Sequence, residues 1–110
     1  MHPLYQDASR VLAQTEQKQG TIRRLAIADA VRNKKATLAI ASETMRYNQV
    51  LEQCLAEAGI ADKQSEFQPW ILKVMAYDFL FGRGKIQCGG AVARAIKENG
   101  TRLREALETM

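Results

Sequence analysis

Residues 69–81 read PWILKVMAYDFLF, and the fold class turns on whether this run is a strand or a helix. Trp70, Ile71, Val74, Met75, Tyr77, Phe79, Leu80 and Phe81 make it the most apolar stretch of the chain. Buried strands and buried helices give similar runs, but a strand usually stops after about four to eight residues. The length of this one predicts a buried helix. Pro69 suits its first turn, and Gly82-Arg83-Gly84-Lys85, extended by Cys88-Gly89-Gly90, ends it. Asp78 falls inside the run, on the side of Ile71 and Met75. A buried carboxylate needs a partner, and an ion pair with Arg46 or Arg83 is expected. A catalytic acid would also need a second group and a pocket, and the sequence names neither.

Working outward, the other segments also carry helical periodicity. Leu4, Ala8, Val11, Leu12 and Thr15 lie on one face of a helix expected over residues 4–18. Gly20-Thr21 marks a break and a new N-cap. Ile22, Leu25, Ala26 and Ile27 begin a second helix that fades near Asn33. Lys34 to Thr44 is alanine-rich, a strong helix by propensity whose small side chains favour a central place. Tyr47, Val50, Leu51, Cys54, Leu55 and Ala58 form the clearest stripe, closed by Gly59. Ala61 to Gln68 reads as a connecting loop. Val92, Ile96, Leu103 and Leu107 support a final helix with Gly100 as its weak point. No stretch sustains period-2 alternation. The expectation is an all-α single domain over residues 1–110, a compact bundle of five or six helices. Leu12, Ile40, Leu51, Leu55, Trp70, Val74 and Leu80 are its predicted common core, because each helix is apolar on one face only.

The net charge of +4 over 110 residues is modest but unevenly spread. Between Gly20 and Tyr47, Arg23, Arg24, Arg32, Lys34, Lys35 and Arg46 stand against Asp29 and Glu43. Between Gly82 and Arg104, Arg83, Lys85, Arg94, Lys97, Arg102 and Arg104 stand against Glu98. The intervening segment is acidic, with Glu52, Glu57, Asp62, Glu66 and Asp78 against Lys63 and Lys73. Charge runs arise on any solvated helical surface. The alternative is a surface that meets phosphates, with Arg23, Arg24, Lys34, Lys35, Arg46, Arg83 and Lys85 as its candidate RNA-binding residues.

Other chemistry is sparse. The glycine loop fails the dinucleotide pattern at its third glycine, and Ile86 follows Lys85 where a P-loop needs Ser or Thr. It reads either as a basic hairpin lying along a nucleic-acid backbone or as a plain helix-terminating loop. His2 is the only histidine, and Cys54 and Cys88 form no CxxC pair. A metal site is therefore not expected, and the cysteine usage fits a reducing compartment. Cys54 sits in an apolar stripe as a packed thiol, and Cys88 has no histidine to act as its base. No catalytic residue is assigned. There is no apolar run of about 18 residues and no cationic stretch ahead of an apolar core, so neither a membrane span nor a signal peptide is expected. Trp70, Tyr77, Phe79 and Phe81 read as core. Tyr5 and Tyr47 are the more exposed candidates for stacking on bases.

Five segments occur in a telling order: Leu4-Tyr5 with Ala8 and Val11-Leu12; Gly20-Thr21-Ile22-Arg23; Glu43-Thr44-Met45-Arg46-Tyr47 with Val50-Leu51; Ala58-Gly59; and Tyr77-Asp78-Phe79-Leu80-Phe81-Gly82-Arg83-Gly84. Together they resemble the N-terminal region of the Nop/Sun-domain RNA methyltransferases, specifically the fifth-member subfamily of eukaryotes. The third and fifth strings are the specific ones. The resemblance spans nearly the whole chain. It implies a NusB-like helical fold and a role in binding large-subunit ribosomal RNA, so that a catalytic domain downstream can convert a cytosine to 5-methylcytosine. It implies an N-terminal fragment of a longer protein working in the nucleus and nucleolus. S-adenosylmethionine is the cofactor implied for that parent, with none expected in this chain. The family's catalytic cysteine motifs are absent, so its catalytic roles pass to neither Cys54 nor Cys88.

Two functions remain open from sequence. One is an RNA-binding accessory domain of such a methyltransferase. The other is a protein-interaction module that docks on its own catalytic domain or on a ribosome-assembly factor, which the acidic middle segment would suit.

Overall fold

The run at 69–81 forms a helix over Pro69–Leu80, and four other helices pack on it. The computed structural model describes residues 3–60, 69–84, 86 and 89–109. Among them are seven helices and no strand: α1 (Pro3–Glu16), α2 (Ile22–Ala26), α3 (Lys34–Arg46), α4 (Asn48–Glu57), α5 (Pro69–Leu80), α6 (Ala91–Glu98) and α7 (Gly100–Glu108). The all-α expectation holds. The loop expected over Ala61–Gln68 lies outside the described residues.

Helix α5 buries Trp70, Ile71, Leu72, Val74, Met75, Ala76, Asp78 and Phe79. Burial on nearly all sides explains why its sequence shows so little amphipathic contrast. It contacts α1, α3, α4 and α6, while α1 also packs on α2 and α3, and α7 on α4 and α6. The Cα radius of gyration is 13.2 Å, close to the roughly 13 Å of a compact domain of this size. One core results, and it contains Leu12, Ile40, Leu51, Leu55, Trp70 and Val74, with Leu80 packed against it partly buried. Six of the seven residues expected in the core are thus found in it, and Leu80 packs against its edge.

Two boundaries differ from the periodicity, each for a tertiary reason. The second helix stops at Ala26 instead of fading near Asn33. Val31 must turn inward, where it is 6% exposed, and the Arg32 N–H must reach Asp7 Oδ2, 3.1 Å away, rather than a helical carbonyl. Asn33 then starts α3 by accepting the Ala36 N–H at 3.1 Å. The final helix is split at its expected weak point, with Asn99 between α6 and α7. Gly100 presses on the Phe79 ring, where a Cβ would meet Cζ at 2.8 Å. That close approach admits glycine and little else.

Helix α3 is central, as its alanines suggested. Thr37, Ala41 and Thr44 recur at helical spacing on its buried face and let neighbouring helices approach closely. The hydroxyls of Thr37 and Thr44 have no hydrogen-bond partner among the described residues. Thr21 caps α2 through the Arg24 N–H at 3.2 Å, as the Gly20-Thr21 break predicts.

Candidate functional site

The α2–α3 junction gathers four cations. Arg23 and Arg24 close the short α2, and Lys34 and Lys35 open α3, the helix it packs against. All four are exposed. None makes an ion pair among the described residues; Lys34 Nζ only donates to the Val31 carbonyl at 2.9 Å. The first turn of α3 holds no acidic residue. Two lysines there oppose the helix macrodipole, whose positive end prefers anions. Folding gains nothing from this placement. Electrostatically, the lysines and the unbonded first-turn N–H groups reinforce one positive field.

The remaining cations of the basic segments are differently placed. Arg32 is spent on Asp7, a carboxylate only 1% exposed. Its Nη2 reaches Asp7 Oδ1 at 3.0 Å and its Nε reaches Oδ2 at 3.2 Å, with Arg10 Nη1 3.5 Å from Oδ1. The Arg32 hydrogen bonds hold the Asp7 carboxyl below the usual carboxylate range, against the opposing effect of burial.

Arg83 plays the same part for Asp78, so of the two partners expected for that carboxylate it is Arg83 and not Arg46. Arg83 Nη2 lies 2.7 Å from Asp78 Oδ2, and its Nε 3.4 Å from Oδ1. Tyr5 donates its hydroxyl to the same Oδ2 and accepts from Arg83 Nη2 at 3.3 Å. Burial pushes the Asp78 carboxyl up, but the bonds from Arg83 and Tyr5 outweigh it and the net direction is down. Gly82 makes the turn possible: a Cβ there would fall 2.5 Å from Asp78 Oδ1. Its N–H donates to the Tyr77 carbonyl at 3.1 Å, and the Gly84 N–H to that of Asp78 at 3.1 Å. The described part of the glycine loop therefore terminates α5 and aims Arg83 back at Asp78. Lys85, the loop's other candidate, lies outside the described residues.

Tyr5 is a correction. Expected to be exposed enough to stack on bases, it is 0% exposed. With Ala8 and Leu12 it forms the inward stripe of α1, and the Asp78 bond satisfies its hydroxyl there. Tyr47 is half-buried instead, in a near-parallel group with Phe81, at 4.6 Å between centroids, and Tyr77, at 6.3 Å. Arg46 lies over the Tyr47 ring at 5.5 Å and 3.8 Å from Glu43. Burial first, then the charge of Glu43, raises the Tyr77 hydroxyl.

Sequence reasoning left Arg104 out of the site, yet its guanidinium lies 4.6 Å over the Phe79 ring and within 3.5 Å of the Gly84 carbonyl, beside Arg83. No periodicity connects residues 84 and 104. A shallow cavity of about 240 Å³ also separates α3 from Arg83, lined by Ala36, Ala39 and Glu43 on one side and by Leu4, Tyr77 and Arg83 on the other. It places Arg83 opposite the helix that begins with Lys34 and Lys35.

Cys54 is fully buried, and burial raises its thiol above the ordinary value, which keeps it protonated and inert. No group of three metal-ligating side chains occurs among the described residues. No helix among them is long and apolar enough to cross a membrane. His2 and Cys88 lie outside the described residues.

Comparison with known proteins agrees with the motif reading. The family described as NOL1/NOP2/Sun domain family member 5, N-terminal domain, matches residues 35–110. That span includes Lys35, Arg46 and Arg83 and starts after Arg23, Arg24 and Lys34. A 28S rRNA (cytosine-C(5))-methyltransferase of Mus musculus is 33% identical over 104 residues, 94% of this chain and 22% of that protein. A 25S rRNA (cytosine-C(5))-methyltransferase of Schizosaccharomyces pombe is 27% identical over 100 residues, 90% of this chain and 22% of that protein. One of Arabidopsis thaliana is 31% identical over 71 residues, 64% of this chain and 12% of that protein. The chain therefore spans about a fifth of the length of the first two relatives. No solved structure matches it.

Proposed function

The chain belongs to the NOL1/NOP2/Sun domain family member 5 N-terminal domains, and from that premise we propose that it binds large-subunit ribosomal RNA for a cytosine-C5 methyltransferase. In this reading the helical bundle, NusB-like by resemblance, holds substrate RNA for a downstream catalytic domain. That domain supplies the S-adenosylmethionine site and the reaction, in the nucleus and nucleolus. The names of the relatives support the substrate class.

The observation that carries the reading is the set of exposed cations at the α2–α3 junction, left without ion-pair partners among the described residues. Exposed cations without ion-pair partners among the described residues suit a phosphate backbone. No side chain among them is held by a partner in a way that would read a base edge, so the contacts are phosphate contacts with little sequence preference. Arg83 adds less than its charge suggests, because Asp78 neutralises it. Arg46 stands at the far end of α3, and Lys85 completes the candidate set. The direct test is binding of a large-subunit rRNA fragment across a salt series. Affinity should fall steeply, with a log–log slope of about −0.7 per phosphate contact on single strands. Salt-insensitive or absent binding would defeat the reading.

One observation favours a second reading, docking on a protein. Ile27 is 53% exposed beside the cations, and α4 presents Glu52 and Glu57 to solvent. Ile27→Ser should then weaken capture of the separately expressed catalytic domain while leaving RNA binding intact.

A further inference from the structure

We propose that the cavity between α3 and the C-terminal end of α5 seats one unpaired nucleobase bearing an exocyclic amino group. This deepens the RNA-binding reading and rests on it.

Four observations converge on this cavity. The first is size. At about 240 Å³ it falls below the roughly 300–1,000 Å³ of pockets that enclose whole small molecules, so it suits a single ring system with its sugar and phosphate left outside. The second is the walls. Ala36 and Ala39, one turn apart on α3, leave a flat apolar surface opposite Leu4 and Tyr77. The Tyr77 ring is held near-parallel to Phe81, 5.7 Å between centroids and 24° between planes, so an aromatic wall is already in place. Stacking on such a wall tolerates any base.

The third observation is the polar rim. Glu43 lines the cavity with a side chain 40% exposed, and it can accept a hydrogen bond but not donate one while ionised. A carboxylate accepts well from an exocyclic amino group such as cytosine N4. Uracil offers only an N3–H flanked by two carbonyls, whose oxygens face the carboxylate unfavourably. Arg83 also lines the cavity, 41% exposed. Asp78 and Tyr5 engage its Nε and Nη2, and its Nη1 makes no hydrogen bond among the described residues. That nitrogen is a fixed donor for a flanking phosphate.

The fourth is charge along α3. Lys35, Ala39, Ser42 and Arg46 are all exposed and fall at i, i+4, i+7 and i+11, one face of the helix. A cation therefore stands at each end of a stripe whose middle opens on the cavity, about 16 Å from end to end at 1.5 Å per residue. A strand laid along that face would meet cations on both sides of the seated base.

The test measures binding of this chain to three labelled oligomers of equal length, oligocytidine, oligouridine and an abasic ribose-phosphate chain, at several salt concentrations. Oligocytidine should bind several-fold tighter than oligouridine, and the abasic chain weakest. Ala39→Leu, at an exposed position, fills the cavity. It should bring oligocytidine down to the abasic level with the salt slope unchanged. Glu43→Gln gains a donor and should erase the difference between cytidine and uridine, with circular dichroism confirming the fold of both variants. Equal binding of all three oligomers with a retained salt slope would overturn the base site and leave the cation surface standing. Absence of salt-sensitive binding to any of them would overturn both, and the cavity would then belong to a protein partner.

Discussion

The seam between α1 and the end of α5 and the junction between α2 and α3 use arginine in opposite ways. At the seam, Arg83 brings a guanidinium to Asp78, and from the α2–α3 connection Arg32 brings one to Asp7 on α1; both carboxylates are almost wholly buried. At the junction, Arg23, Arg24, Lys34 and Lys35 stand exposed and make no ion pair among the described residues. A count of basic residues along the chain puts both kinds in the same segments. What separates them is whether folding has already satisfied the charge. Cations of the first kind hold the bundle together, and cations of the second kind are available to something outside it.

The contrast breaks first, and most visibly, at Asp78. Asp78→Ala removes the acceptor shared by Tyr5 and Arg83. Breaking a buried pair costs about 3–5 kcal/mol; the outcome should fall toward the lower end because half-exposed Arg83 can turn to water. Urea denaturation reads this. Acid should act on the same contacts. Both carboxyls are lowered on folding, so their contribution is fully present above the unfolded value of about 3.9 and is lost as pH falls through the folded values. The wild-type denaturation midpoint should drop as pH is lowered below about 4, and Asp78→Asn should flatten that drop.

A smaller loss should follow Tyr5→Phe, which keeps the ring in the core and deletes only the hydroxyl. A hydrogen bond to a charged group is worth about 1.5–3 kcal/mol. A denaturation midpoint equal to wild type would mean that Arg83 alone satisfies Asp78.

How much of this was legible in the sequence depends on reach. The α5 helix was readable because length separates a buried helix from a strand, and the need of Asp78 for a partner followed from its place in an apolar run. The choice of Arg83 over Arg46 was not readable, because it depends on how Gly82 turns the chain. Asp7 carried a signal that the α1 stripe contained: it lies three residues after Leu4 and four before Val11, on their face. Its partner is 25 residues away, and satisfying it is what cuts α2 short, so no local pattern encodes that break. Tyr5 was misjudged as exposed because a hydroxyl on an N-terminal helix looks like a surface group until its acceptor is known. Of the seven candidate binding residues, the four at the junction are exposed and make no ion pair among the described residues. Arg83 and Arg46 are paired to different degrees, and Arg104 reaches the Gly84 carbonyl through a contact that spans 20 residues.

The smallest effect should have the opposite sign. Lys34→Glu with Lys35→Glu puts acids at the positive end of the α3 dipole, where they are favoured. The midpoint of thermal unfolding should rise slightly. A fall would indicate that the lysines serve the fold after all.

The measurement that bears most directly on the contrast is the salt dependence of rRNA-fragment binding for the wild-type chain and for the variant with Arg23, Arg24, Lys34 and Lys35 all changed to Glu. If these four meet phosphates, the variant should bind far more weakly near 0.1 M salt, and its log–log slope should be shallower by about 3, four contacts at roughly 0.7 each. Equal affinity and equal slope for the two proteins would contradict the account, and would move the junction from RNA to a protein partner.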